Sequence, residues 1–275
     1  MVEKKLEYKS FLRWAGGKNW LTKLIQTTKS KIKFNNYHEP FLGGGSMFFF
    51  LNPNKNSFLS DTNSELINTY KAVKNNPEKV IEIIKTFTNN KDFYYQLRDD
   101  LNGDKIFKAG RFIFLNKTSF NGIYRVNRNG HYNVPYGNKQ FNKETLFKSI
   151  VSASIQLKKS KIFCDDFRNI IKNINENDLV YLDPPYTISH NNNGFIMYNE
   201  KLFSYKDQLS LSKMIDKIKN KNAFYILSNA HHDEVRRIYD KGDNRYVFNR
   251  NSLVSSNMDS RKLYKEFIFT NIKID

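Results

Sequence analysis

The chain has 275 residues, enough for one large core or a core with a smaller lobe. Its mean hydropathy of −0.65, with no apolar run near the roughly 20 residues that cross a bilayer, excludes a transmembrane helix. Lys and Arg number 45 against 27 Asp and Glu, a formal charge of +18, which favours a polyanion such as nucleic acid through counterion release; an anionic membrane fits less well because the lysines are dispersed.

The charged start, MVEKKLEYKS, has no apolar stretch and predicts no secretory signal. Cys164 is the single cysteine, so no internal disulfide can form and a reducing, cytoplasmic setting is expected. The first punctuated segment is Phe11 to Lys18, carrying Arg13, Trp14, Gly16 and Gly17, ahead of helical apolar spacing from Trp20 to Ile25. Glycines and a lysine before a helix can cradle an anion, or form only a turn. Next, a strand running into Phe41 meets Leu42, Gly43, Gly44 and Gly45, and Ser46 opens a helix whose Phe48, Phe49 and Phe50 read as core. A short strand from Ser57 to Ser60 ends at Asp61, where an acid beyond a glycine turn can hold a ribose hydroxyl or cap the following helix. Together these features predict a nucleotide-binding sheet for an adenosine-type ligand.

From Ser64 the strand–helix alternation stops. Leu66 to Val73, Pro77 to Phe87, Asp92 to Leu101 and Gly110 to Asn116 have helical spacing, a mainly helical insertion. It ends in the segment from Phe120 to Pro135, whose Asn129-Gly130 is the strongest hairpin signal in the chain. A hairpin bearing Arg125, Asn127 and Arg128 can enter a major groove, where Arg reads guanine and Asn reads adenine, or stand solvated.

Strand spacing resumes at Lys161 to Cys164, followed by Asp165, Asp166 and Phe167 and a helix through Ile171. Asp166 can accept from an adenine amine or cap that helix. The buried run Leu179 to Leu182 then stops at Asp183, Pro184, Pro185 and Tyr186. Proline lacks an N–H and pushes the preceding residue extended, so this corner presents a carboxylate, two outward carbonyls and a ring. Such a group can accept hydrogen bonds from an amine while the ring stacks on the flat molecule that carries it; the plainer alternative is a rigid surface turn. A polar loop from Ser189 to Gly194, a helix from Leu209 to Ile218, a strand from Phe224 to Leu227 and a terminal pair, Tyr246 to Asn249 and Phe267 to Asn271, complete the sheet. His231 and His232 are adjacent and lack ligand spacing, so no metal is expected.

Taken in this order, the motifs resemble those of the Dam-type DNA adenine methyltransferases over nearly the whole chain. The resemblance implies a Rossmann-like α/β methyltransferase sheet, residues 1–62 and 152–275, that binds S-adenosylmethionine, with a target-recognition domain carrying a β-hairpin at residues 63–151. It implies cofactor contacts from Trp14, Lys18, Phe41, Gly43, Gly45, Asp61, Asp166, Phe167 and Asp183. DNA contacts would come from Arg13, Phe120, Asn121, Ile123, Arg125 and Pro135, and catalysis from Asp183, Pro184 and Tyr186. The partner would be double-stranded DNA, methylated by a protein acting as a monomer on the N6 amine of a flipped adenine, in GATC or a related sequence. Arg13 and Ile123 stand where relatives often carry Lys and Leu, exchanges that keep charge and bulk. A nicotinamide oxidoreductase, a silent DNA-binding regulator and an RNA-directed enzyme are the alternatives; the corner at Asp183 to Tyr186 argues against the first two, while the positive charge suits RNA as well as DNA.

Overall fold

The structure is a computed structural model that describes residues 10–14, 16–18, 20–22, 25, 33–186, 203–251 and 263–274. The polar loop from Ser189 to Gly194 lies outside the described residues. Seven strands form one sheet: β1 (Tyr37–Glu39), β2 (Ser57–Asp61), β3 (Ser160–Cys164), β4 (Leu179–Leu182), β5 (Phe224–Ala230), β6 (Asn244–Asn251) and β7 (Leu263–Thr270), in the order β3-β2-β1-β4-β5-β7-β6. β1 runs parallel to β2 and β4, and β4 parallel to β5, whereas β7 is antiparallel to both β5 and β6. The order reverses at β1 and β4, the kind of switch point beside which open α/β sheets hold ligands at their carboxyl edge. Phe41 and Asp183 follow these two neighbouring strands at that edge.

The helices are α1 (Ser46–Leu51), α2 (Ser64–Asn75), α3 (Pro77–Thr86), α4 (Lys91–Asp99), α5 (Lys105–Thr118), α6 (Lys143–Leu157), α7 (Tyr205–Asn220) and α8 (Asp233–Tyr239). Each of α2, α4, α5 and α6 starts where an Asn or Asp side chain (Asn63, Asn90, Asp104, Asn142) accepts a backbone N–H of the first turn, which answers donors a helix start leaves unpaired. α5 begins five residues earlier than the apolar spacing predicts, because Asp104 receives the N–H groups of both Ile106 and Phe107. Gly110 inside α5 marks close packing: a Cβ there would lie 2.7 Å from Ile83 of α3. The helix expected through Ile171 is a 3-10 turn, Phe167–Asn173, opened by the Asp166 side chain.

The chain divides into two compact units. One comprises Met1–Thr22, Leu42–Asn54 and Ser60–Cys164; the other comprises Lys23–Phe41, Lys55–Leu59 and Asp165–Asp275. In the first, Phe87, Leu97 and Phe114 form one buried cluster, and Tyr94, Leu115, Tyr132 and Val134 form another beneath the segment from Tyr124 to Tyr136. In the second, Val180 and Leu182 of β4, Leu227 of β5 and Phe267 and Phe269 of β7 pack with Leu211 and Ile215 of α7. That core includes Phe167 and Phe203, with Phe41 against it. The start of β4 is pinned by a fully buried pair, His38 Nε2 with Asp178 Oδ2 at 2.8 Å.

Candidate active site

The glycine turn is built within the first unit. Gly43 and Gly45 have φ of 45° and 63°, left-handed values that favour glycine. The turn is also crowded: a Cβ on Gly43 would lie 2.7 Å from the Trp14 indole, and one on Gly45 2.9 Å from the Tyr70 hydroxyl. Tyr70 donates to the Gly43 carbonyl at 3.1 Å. Asp61 Oδ2 accepts the Gly43 N–H and Oδ1 the Asn63 N–H, each at 3.0 Å. Burial pushes the Asp61 carboxyl above its ordinary range, and these backbone donors pull against that rise. Lys18 is buried and donates to the Gly16 carbonyl at 2.9 Å. The structure therefore brings together Trp14, Gly43, Gly45 and Asp61, residues far apart in sequence.

The same unit carries the expected DNA-reading set. Asn116 holds the Arg13 backbone at both ends: its Oδ1 accepts the Arg13 N–H at 2.8 Å and its Nδ2 donates to the Arg13 carbonyl at 2.7 Å. The Arg13 stem then lies against Gly122, where a Cβ would meet its Cδ at 2.6 Å. Phe120 is 53% exposed, unusual for a ring of that size. Asn121 beside it has a φ of 54°, a left-handed conformation costly for most non-glycine residues. The hairpin forms as a ribbon with bridges Val126–Tyr132 and Ser119–Tyr136. Asn127 Oδ1 accepts the N–H groups of Asn129 and His131, so this residue shapes the tip. Arg125 donates through Nε to Asn133 Oδ1 at 2.8 Å and through Nη2 to its carbonyl at 3.2 Å, which holds the exposed guanidinium extended across the ribbon. Arg128 and Pro135 are exposed and Ile123 half-buried.

Spacing did not mark the residues that fasten this ribbon. Tyr124 stacks on Trp14 with ring centres 5.4 Å apart and planes 18° off parallel. Its hydroxyl donates to Glu65 at 3.2 Å, and Glu65 also faces the buried Arg111. Lys117, near Arg13, is pushed down to about 8 by burial first and by the Arg13 charge second.

The second unit holds the corner after β4. Asp183 Oδ1 accepts from Ser228 Oγ at 2.7 Å, and the Tyr186 hydroxyl donates to Glu266 Oε2 at 3.0 Å. Burial, then the Asp183 and Glu39 carboxylates, hold the neighbouring Tyr181 phenol protonated well beyond its usual range. Phe41 stacks on Phe167 at 5.2 Å and meets Phe203 edge-on at 5.6 Å. Asp166 serves as the cap: it accepts the Arg168 N–H at 2.9 Å and pairs with the Arg168 guanidinium at 2.7 Å, and Arg168 also binds Asp207. His231 stacks on Phe267 and His232 caps α8. Among the described residues no group of three or more His, Cys, Asp or Glu could hold a metal ion, and no helix is long and apolar enough to cross a membrane.

A mainly parallel sheet with a glycine turn after β1 and an acid–proline–proline–tyrosine corner after β4 defines an α/β enzyme of the methyltransferase type. The chain belongs, over residues 14–254, to the D12 class N6 adenine-specific DNA methyltransferases. It is 34% identical to the Type II methyltransferase M1.LlaDCHI of Lactococcus lactis subsp. cremoris, covering 98% of each chain. It is 36% identical to the Type II methyltransferase M.MjaIII of Methanocaldococcus jannaschii, covering 82% of this chain and 86% of that one. The DNA adenine methylase of Salmonella typhi is 30% identical, with 94% of each chain covered. This membership makes the protein a DNA-modifying enzyme and sets aside the nicotinamide alternative.

Proposed function

We propose that the protein transfers a methyl group from S-adenosylmethionine to the N6 amine of an adenine flipped out of double-stranded DNA, in GATC or a related sequence. In this reading residues 1–62 and 152–275 form the catalytic domain and residues 63–151 read the target. The observation that carries it is the carboxylate of Asp183, fixed by Ser228 at the carboxyl end of β4 and followed by two prolines and an aromatic ring.

The glycine turn fits a nucleoside. A Cβ on Gly43 or Gly44 would strike Trp14, so the turn keeps a bare backbone there, and the half-buried Asp61 carboxylate is suited to ribose hydroxyls. Trp14, Lys18, Phe41, Gly43, Gly45, Asp61, Phe167 and Asp183 would hold the cofactor; Asp166 would join them by sharing its contact with Arg168. When bound, S-adenosylmethionine supplies an electrophilic methyl group on a sulfonium.

The chain's own residues supply the rest. An adenine amine is a poor nucleophile because its lone pair is delocalised into the ring, and within a duplex it is also stacked and paired. Extruding the base costs a few kcal/mol. Tyr186 offers a face on which the extruded base stacks. The Asp183 carboxylate and the Pro184 carbonyl accept the two amine hydrogens, which concentrates the lone pair on nitrogen; this is catalysis by position and electrostatics. Phe120, exposed beside the left-handed Asn121, suits the space left in the duplex. Arg13 and Lys117, two neighbouring cations, suit a backbone phosphate; Ile123, Arg125, Arg128 and Pro135 would meet the groove, with Asn127 shaping the tip that carries Arg128.

Two results are expected. Arg125→Ala should relax base choice at one position by about 1–3 kcal/mol, with phosphate-driven affinity retained; a methylation profile identical to wild type across a library of variant sites would remove Arg125 from the reading set. The second concerns pH. Because the folded Asp61 pKa is raised, its contribution to folding is largest at low pH and is lost as pH rises through that value. A ribose needs the ionised form, so affinity for S-adenosylhomocysteine should run the other way, weakening as pH falls through the same window. Calorimetric titration should show this acid limb in wild type and lose it in Asp61→Asn; a limb of equal size in both would clear Asp61 of the role.

A further inference from the structure

Glu266 is a carboxylate in the middle of β7 and only 1% exposed. Removing such a group from water costs several kcal/mol unless hydrogen bonds answer it. Its place in the sheet shows what it serves. β7 pairs with β5 so that Glu266 stands opposite Ala230 and Ile268 opposite Ser228. Residues two apart on a strand share a face, as do directly paired residues. Ser228 and Glu266 therefore project from the same face, and both reach the corner after β4: Ser228 Oγ donates to Asp183 at 2.7 Å, and Glu266 Oε2 accepts from the Tyr186 hydroxyl at 3.0 Å. The prolines fix the backbone before Tyr186 but leave its ring torsions open. The bond to Glu266 is a tether at the far end of that ring.

We propose that Glu266 is a positioning residue for methyl transfer, holding the Tyr186 ring through its hydroxyl in the orientation that receives the flipped base. The inference rests on the methyl-transfer reading above. In methyl transfer Glu266 acts through Tyr186, so for this step the two side chains should behave as one unit.

A double-mutant cycle tests this, using single-turnover methylation of a duplex with one target adenine and 2-aminopurine fluorescence at that position to report extrusion. Glu266→Met and Tyr186→Phe should each slow methyl transfer by about tenfold and lower the extrusion signal. The double variant should be no slower than either single one, and duplex affinity should stay within about twofold. Glu266→Gln, which keeps an acceptor oxygen, should recover most of the rate lost in Glu266→Met. Multiplicative losses in the double variant, or wild-type turnover in Glu266→Met, would overturn the proposal. Should Glu266→Met not fold, that too would count against it, and the Glu266→Gln and Tyr186→Phe pair would decide: a Gln variant as slow as Tyr186→Phe sinks the tether. Wild-type protein inert on the adenine duplex would instead overturn the methyl-transfer reading, and this inference with it.

Discussion

Asp183→Ala should lower methyl transfer by about 10²–10³-fold or more, the scale seen when a preorganised polar group aimed at developing charge is removed. The variant should fold and bind duplex DNA. β4, which positions Asp183, is buried along its whole length by apolar contacts that do not involve the carboxylate, and the groups assigned to DNA lie in the other compact unit. The loss should therefore appear in kcat with little change in duplex affinity. Asp183→Asn should fall between the two, because an amide still offers one acceptor oxygen. Turnover of Asp183→Ala within about tenfold of wild type would remove the carboxylate from the chemistry.

Arg111→Ala should strongly destabilise the first compact unit. Arg111 is 3% exposed; it donates through Nε to the Leu97 carbonyl at 2.8 Å and through Nη2 to the Arg98 carbonyl at 2.5 Å, with Glu65 at 3.5 Å. Truncation leaves buried carbonyls without their donor and Glu65 without its cation, a loss of about 3 kcal/mol or more. In a chain of this size that corresponds to a fall in Tm of roughly 6–12 °C. Glu65 also anchors the Tyr124 hydroxyl, and Tyr124 stacks on Trp14, so duplex affinity and binding at the glycine turn should weaken together. A Tm within about 2 °C of wild type would show that the network is ornamental.

Much of this architecture could be read from local signals. The strand before Asp183, the turn at Gly43 to Gly45 and the acid at the end of β2 were marked by breakers that leave the chain few alternatives. Two helices were not anticipated. α6 carries Leu146, Ile150, Ala153 and Leu157 on one face behind an Asn142 cap, a signal present in the sequence but overshadowed by its Lys and Ser content. α8 spans only seven residues and opens on His232, an uncommon cap. The hairpin was legible from Asn129-Gly130, yet the part taken by Asn127 was not: a side chain that could meet a base instead closes the turn through two backbone N–H groups. Asp166 shows the same limit, because one carboxylate at a strand end suits a cap as well as a ligand, and only the placement of Arg168 distinguishes them. Ser228 and Glu266 lay beyond sequence reasoning because their partners, 45 and 80 residues away, are set by the pairing of β5 with β4 and β7.

In the proposed function, the corner from Asp183 to Tyr186 directs a methyl group to the N6 amine of adenine. Mapping modified bases in DNA from cells that express this chain, beside cells that express Asp183→Ala, tests it most directly. N6-methyladenine should be concentrated at one short sequence, GATC or a close variant, and should disappear in Asp183→Ala. N6-methyladenine absent from both, or a methyl group placed on cytosine, would contradict it.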